Sequence, residues 1–307
     1  MKGKALAASL LLILCVAAAA QQPAEVIKYE LFYTPNAELA TLQQVNAKIE
    51  EVALENNPLG IEGWMKAKLE HRAGAINEET KTFALTLELE EIAQEFNGQP
   101  IGGAQQSRIS VELTPLGQIK NPRQVSDTDT PAAALAAGVP VQMLALLCHV
   151  VTFPDHPVAV GERWVNDGAV DVGQDAPVTL RIATELLQVT QADEQAEERG
   201  QQATLLSDMD LLLADFKAPN PMGYGDPVTV QNGRLTITDL TREFDMQNGV
   251  VVDAEGKAGF SGQMVMAGFP LNLRVTMSFS MKPQPAQDNA PVVVGGAGED
   301  EAQAGGG

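Results

Sequence analysis

Few side chains in this sequence could do chemistry of their own. The three histidines are His71, His149 and His156, and the two cysteines are Cys15 and Cys148. The histidines lack the H-E-x-x-H or H-x-H spacing that places two imidazoles on one metal ion. Cys148 and His149 are adjacent, and adjacent residues on a helix or strand point apart, so they cannot form a nucleophile-to-base hydrogen bond. We therefore predict a non-enzymatic protein without catalytic residues, bound metal or cofactor.

Two alternatives to this prediction would give the protein a catalytic site or a metal site. The first is a hydrolase, in which the fold would bring His156 to the thiol of Cys148. The second is a calcium site at one of the acid pairs, Asp127 with Asp129 or Asp208 with Asp210. Neither pair has the spacing of an EF-hand loop or of a glycine-aspartate repeat. The four carboxylates are therefore predicted to be solvated.

The methionines indicate a binding surface instead. Seven of the ten methionines lie from Met209 onward, in a chain whose aromatic content is only 5%. Methionine is flexible and polarizable, so a face rich in it can accept varied apolar ligands. The alternative is that methionine simply fills a core poor in aromatic rings. The candidate ligand-binding residues are Met264, Met266, Leu273, Val275, Met277 and Phe279.

These residues belong to segments with an alternation of apolar and polar side chains. The same period of two occurs in residues 61–72, 81–91, 109–114 and 178–183, and it is typical of half-buried strands. In residues 260–281 two such runs flank the turn at 267–270, which predicts a closing hairpin. One apolar and one polar face per strand indicates an antiparallel sheet, because buried parallel strands read as continuous apolar runs.

Two segments have a helical pattern. In residues 37–56, the apolar residues recur at spacings of three and four, which predicts an amphipathic helix capped by Asn36. In the middle of the chain, Pro131 stands at the first position of a short predicted helix that ends before Gly138. A second, more apolar helix is predicted over residues 140–150.

The predicted fold is mainly β, of the α+β class: a large curved antiparallel sheet packed against a few helices. No alternating βαβ pattern is present, which argues against Rossmann and TIM architectures. The body would span residues 21–283. Similar short segments around Trp64 and Trp164 leave open a division into two related halves, 21–150 and 151–283.

The two ends of the chain are predicted to lie outside this body. Residues 1–20 have a basic start, an apolar run and a final row of alanines, which predicts a cleaved signal peptide and export to the periplasm or the extracellular space. The leader carries two lysines, so its removal would change the net charge from −20 to −22. That charge argues against nucleic-acid partners. Residues 284–307 are rich in glycine, alanine and acids, which predicts a disordered tail.

One motif carries a resemblance to a known group of proteins. The segment 153–164 resembles the pattern P-x-x-P-V-x-V-G-[DE]-x-W of uncharacterised exported bacterial β-proteins. The matching residues are Pro154, Pro157, Val158, Val160, Gly161, Glu162 and Trp164. The resemblance implies export and fold but no chemistry. At the level of fold alone, a curved sheet with helices on one face is similar to the half-barrels of periplasmic lipoprotein carriers.

From these observations we expect an exported protein that binds an apolar ligand, a lipid or a lipidated segment, on the Met- and Leu-lined sheet face. The alternative is a structural or envelope-interaction protein that binds partners through its acidic surface and C-terminal tail and holds no small ligand. No integral membrane span is predicted beyond the leader, because no other run is long and apolar enough.

Overall fold

The structure is a computed structural model that describes residues 26–35, 39–100, 106–121, 141–170, 178–190, 200–213, 215–218, 228–266 and 268–284. The leader 1–20, the predicted helix at 131–137 and the tail from residue 285 onward lie outside the described residues.

The strands of the N-terminal part are β1 (Lys28–Tyr29), β2 (Ala40–Leu54), β3 (Asn57–Pro58), β4 (Gly63–Ala73), β5 (Phe83–Phe96), β6 (Gln99–Pro100), β7 (Ser107–Leu113) and β8 (Ile119–Asn121). One helix, α1 (Val141–His149), follows within the described part. The later strands are β9 (Val158–Ala159), β10 (Arg163–Val170), β11 (Val178–Thr190), β12 (Gln202–Leu213), β13 (Phe216–Ala218), β14 (Val228–Asp245), β15 (Val250–Met266) and β16 (Phe269–Pro283).

Eleven of these strands form one continuous antiparallel path in the order β10-β11-β12-β14-β15-β16-β2-β4-β5-β7-β8. The short strands β3, β6 and β13 pair with β2, β5 and β14, and β1 pairs separately with β9. The last strand, β16, lies beside β2, so the two ends of the described chain meet in the middle of the path. The edge strands β8 and β10 approach within 8 Å between Cα atoms. The sheet is therefore nearly closed, with an inner and an outer face.

The predicted alternation is confirmed in the clearest strands. In β4 and β5, Met65, Leu69 and Leu87 are buried on the inner face, while Lys66 and Glu90 are exposed on the outer face. The residues at 109, 111 and 113 of β7 are buried in the same way. The hairpin of β15 and β16 forms in register, with Met266 opposite Phe269. The mainly β class and the antiparallel sheet are thus correct.

The predicted helix over residues 37–56 is wrong, because the chain forms strand β2 there. Up to Ile49 the inner face carries every second residue, including the polar Gln43 and the small Ala47. A β-bulge at Glu50 then shifts the alternation by one residue, so the next buried apolar residue is Val52. Val45, Ile49 and Val52 consequently have the spacing of a helix face, although they lie on one face of a bulged strand.

The apolar helix predicted over residues 140–150 is confirmed as α1. All its described side chains, from Met143 to His149, are buried. The helix packs against the inner face of the sheet, with contacts to β5, β7 and β15. An eight-stranded closed sheet is just filled by its own side chains, so a sheet of eleven strands can enclose a helix as well.

Candidate functional site

The six candidate ligand-binding residues all lie on the inner face of the β15–β16 hairpin. The residues of β16 pair with β15 without a register shift, for example Leu273 with Gly262 and Val275 with Phe260. Met264, Val275, Met277 and Phe279 are 2–5% exposed, and Met266 and Leu273 are half-buried. The structure therefore places these side chains along one stripe, as the alternation predicted.

Exposure along this stripe increases toward the turn of the hairpin. Met277 is 5% exposed, Leu273 is half-buried, and Phe269 is 71% exposed. Leu54 of β2, opposite Leu273, is also partly buried, and Leu59 beyond it is 44% exposed. We call this region, formed by Met264, Met266, Phe269, Leu271, Leu273 and Leu54, the hairpin end of the inner face. It offers a continuous apolar path from solvent to the core.

Tyr33 and Arg242 hold the C-terminal end of α1 within the sheet. The Tyr33 hydroxyl donates to the His149 carbonyl and accepts from the Val151 amide, both at 2.7 Å. The Arg242 guanidinium donates through Nη1 to the Val150 carbonyl at 2.9 Å. The last carbonyls of a helix lack partners within it and carry the negative end of its dipole, so a phenol and a cation are suitable partners.

Arg242 is fully buried, and its second contact is a neutral group. Its Nη2 donates to Ser207 Oγ, which in turn shares a hydrogen bond of 2.9 Å with Thr184 Oγ1. Burial lowers the Arg242 pKa to about 10, so the guanidinium stays charged at neutral pH. Burial also raises the pKa of Tyr33 to about 12. The charge is thus stabilised by the helix end and hydroxyl groups.

His149, Gln43 and His71 form the remaining polar contact between α1 and the sheet. His149 Nδ1 lies 2.7 Å from the Ala145 carbonyl, and Nε2 lies 2.8 Å from Gln43 Oε1. The Gln43 amide is fixed because its Nε2 donates to the carbonyls of Val251 and Val252. The ring of His71 packs against that of His149 with centroids 4.9 Å apart. Neither nitrogen of His71 has a hydrogen-bond partner in the described part of the chain.

The groups of the hydrolase alternative occupy different environments. Cys148 is fully buried on α1, and burial raises the pKa of its thiol to about 12, so a thiolate is not accessible at neutral pH. His156 lies on the surface, where its ring nitrogens contact Asp155 and Glu162 at 3.3 Å each. These two carboxylates raise its pKa. His156 thus has surface partners, and the described contacts do not join it to Cys148.

Sequence reasoning did not single out Tyr33, Gln43 or Arg242. Arg242 occupies an inner-face position between Leu240 and Phe244, both fully buried, and a charged residue inside an alternating apolar run is a readable signal. Gln43 has a similar position in β2, but the helical interpretation of that segment concealed it. Tyr33 lies outside any long strand, so no periodicity points to it.

No family model matches the chain, and no curated protein matches it. The resemblance around Pro154 and Trp164 therefore stays a prediction. Among the described residues, no group of three or more His, Cys, Asp or Glu side chains is placed to hold a metal ion. In the same part of the chain, no helix has the length and apolarity that a bilayer crossing requires.

Proposed function

We propose that this protein is non-enzymatic and binds an apolar ligand, a lipid or a lipidated segment, at the hairpin end of the inner face. The observation that carries the proposal is the graded exposure of one apolar stripe, from buried Met277 through half-buried Leu273 to exposed Phe269. Solvent-exposed apolar residues that continue into a core are typical of a ligand entrance.

The opposite end of the interior supports this location. There α1 is fixed by Tyr33 and Arg242, so that end is occupied by the protein itself. The hairpin end has unbranched, flexible Met264 and Met266 side chains, which can change rotamer to admit a ligand. An apolar chain entering there would cover Phe269 and Leu273, and about 25 cal/mol is gained for each Å² of apolar surface removed from water.

The proposal is tested by ligand binding to the purified full chain. We expect native mass spectrometry or solvent extraction to show a co-purified lipid, and the fluorescent probe N-phenyl-1-naphthylamine to bind the delipidated protein. Leu273→Gln places an amide on the half-buried part of the stripe and should weaken probe binding roughly tenfold, because an unpaired amide is costly to desolvate.

Leu212→Gln is the matched control. Leu212 is 63% exposed, and it adjoins Leu211, which is buried on the inner face, so the same substitution occurs on the outer face. We expect probe binding by this variant to equal that of the wild type. Equal binding by all three proteins, or the absence of both lipid and probe binding, would contradict the proposal.

The second candidate is a structural or envelope-interaction protein without a small ligand. The near-complete burial of Met264, Val275 and Met277 favours it, because these side chains already pack against the core. In this case the delipidated protein would not bind the probe, and deletion of residues 285–307 would reduce partner capture from an envelope extract.

A further inference from the structure

The outer face of the sheet contains a groove that the proposed interior site does not use. It has a volume of about 680 Å³ and crosses five neighbouring strands, from β4 through β2, β16 and β15 to β14. Its outward side chains are Trp64, Lys66, Lys48, Asn46, Ser278, Ser280, Glu255, Lys257, Asp239 and Thr241. Ligand sites of small molecules usually have volumes of this order. We call this feature the outer groove.

The register arranges these side chains in two parallel rows. In one row Trp64 lies opposite Lys48, Lys48 opposite Ser278, and Ser278 opposite Lys257. In the other row Lys66 lies opposite Asn46, which is followed by Ser280 and Glu255. The central strand β16 thus contributes only short serine side chains. Longer side chains stand on both sides of it, which makes the surface concave.

Backbone irregularities border the outer groove. On β14, Asp239 has a left-handed φ of 54° and forms, with Leu240, a bulge opposite Gly256. On β2, the bulge at Glu50 lies two residues from Lys48. Bulges redirect side chains and are common next to binding sites.

The cationic side chains of the outer groove are weakly neutralised. Three lysines and two carboxylates line it, in a chain whose net charge is −20. Lys66 has no ion pair within the described residues and lies over the Trp64 ring, 5.6 Å from its centroid. Lys48 and Lys257 have only long contacts to acids, 3.8 Å to Glu50 and 3.7 Å to Asp239. The Trp64 end of the groove can therefore receive a negative charge.

The other groups indicate what kind of anion fits. Trp64 is 39% exposed with Lys66 over its ring, and the C–H face of a sugar ring can pack against aromatic surface of this kind. Asn46, Thr241 and Ser280 supply amide and hydroxyl groups, which exchange hydrogen bonds with hydroxyls. Asp239 and Glu255 accept hydrogen bonds from hydroxyls and repel further anionic groups, which disfavours a ligand with an anion on every unit, such as a nucleic acid. We propose that the outer groove binds an acidic oligosaccharide, with its carboxylate toward Lys48 and Lys66 and its hydroxyls toward Asp239 and Glu255.

The experiment measures binding of sialyllactose, an oligosaccharide with a single carboxylate, to the full chain by calorimetry at low ionic strength. We expect binding that weakens as salt is added, because the lysines are exposed. Trp64→Ala and Lys66→Gln should each weaken it roughly tenfold. Trp64→Phe keeps an aromatic ring and should retain most of the affinity. Lactose, the neutral part of the same oligosaccharide, should bind more weakly than sialyllactose.

Lys81→Gln is the control for the charge change. Lys81 lies on a distant turn, where it pairs with Glu78, and its loss should leave sialyllactose binding unchanged. The proposal is overturned by the absence of binding, by equal weakening in Lys66→Gln and Lys81→Gln, or by preferential binding of oligothymidylate. Because the outer groove and the hairpin end lie on opposite faces, Leu273→Gln should not alter saccharide binding.

Discussion

His71 and His149 lie in an apolar interior, where a charged imidazole is unfavourable. Burial lowers the pKa of His149 to about 4, and the nearby Arg242 acts in the same direction. Burial, followed by the charge of His149, lowers the pKa of His71 well below its usual value. A neutral imidazole has one N–H, so at neutral pH His149 donates to only one of its two oxygen neighbours, the Ala145 carbonyl and Gln43.

These pKa shifts predict acid sensitivity. The unfolded chain, with histidine pKa values near 6.5, takes up protons at a higher pH than the folded protein, so stability is complete above that pH and falls as the pH decreases toward 4. At about 1.4 kcal/mol per pH unit and proton, each of the two histidines should reduce the free energy of unfolding by about 2 kcal/mol at pH 5. Urea unfolding at several pH values between 7.5 and 5 measures how the free energy of unfolding changes with pH.

Substitution identifies the residues responsible. His71→Leu removes a ring whose nitrogens have no partners within the described residues. The dependence of the free energy of unfolding on pH should therefore decrease by the contribution of about one proton, while stability at pH 7.5 is kept. His156→Gln is the control: the pKa of His156 is raised, so the folded protein binds this proton before the unfolded chain does, and the substitution should not reduce the loss of stability in acid. An unchanged pH dependence in His71→Leu would contradict the assignment.

Two turns between strands fix the segments that hold α1. Gly117, in the turn between β7 and β8, has a φ of 75°, and a Cβ there would lie 1.8 Å from the Val151 carbonyl oxygen. Gly249, between β14 and β15, has a φ of 63°, and a Cβ there would lie 2.0 Å from the Thr34 amide nitrogen. The turn at Gly117 thus contacts Val151, whose amide donates to the Tyr33 hydroxyl. The turn at Gly249 contacts Thr34, which follows Tyr33 in the chain.

Gly117→Ala should therefore destabilise the protein strongly. The left-handed φ accounts for about 1–2 kcal/mol and the overlap with Val151 for about 1–3 kcal/mol, so we expect a loss of about 3 kcal/mol. Gly98→Ala is the matched control, because Gly98 also has a φ of 75° but no atom within 4 Å of the added Cβ. Gly98→Ala should lower the free energy of unfolding by about 1 kcal/mol. Equal midpoints of urea unfolding for the two variants would contradict the role of the Val151 contact.

The strands differ in how clearly their sequences show which residues are buried. In residues 65–69 of β4 and 83–89 of β5, apolar residues occupy successive inner positions, so the alternation was readable. In β2 the inner positions include Gln43 and Ala47, and the bulge at Glu50 changes the phase. A bulge depends on how a strand pairs with its neighbour, and the local sequence does not show that pairing. The partners of α1 could not be predicted either, because Tyr33 and Arg242 are far from it along the chain.

The whole sheet joins the two predicted halves along a long seam. Strand β16 pairs with β2 from Leu273 opposite Leu54 to Pro283 opposite Gln43, and β8 approaches β10 at the other side. We expect this arrangement to unfold as one cooperative unit, because each half provides the neighbour of the other's edge strand.

The two tryptophans test this cooperativity, since Trp64 lies in β4 and Trp164 in β10. Trp164→Phe leaves a fluorescence probe in the first part of the sheet, and Trp64→Phe leaves one in the second. In each variant the urea midpoint from fluorescence should equal the midpoint from circular dichroism. Midpoints that differ within one variant would show that the two parts unfold separately.

The sequence by itself determined the mainly β class, the antiparallel pairing and the inner face of the closing hairpin, because a period of two is a local property that burial on one face imposes. It also placed α1, whose apolar run is continuous. Only the tertiary structure decided that residues 40–54 form a strand, that the sheet nearly closes around α1, and that Trp64 and three lysines share a groove. These features depend on which distant strands become neighbours and where their registers shift.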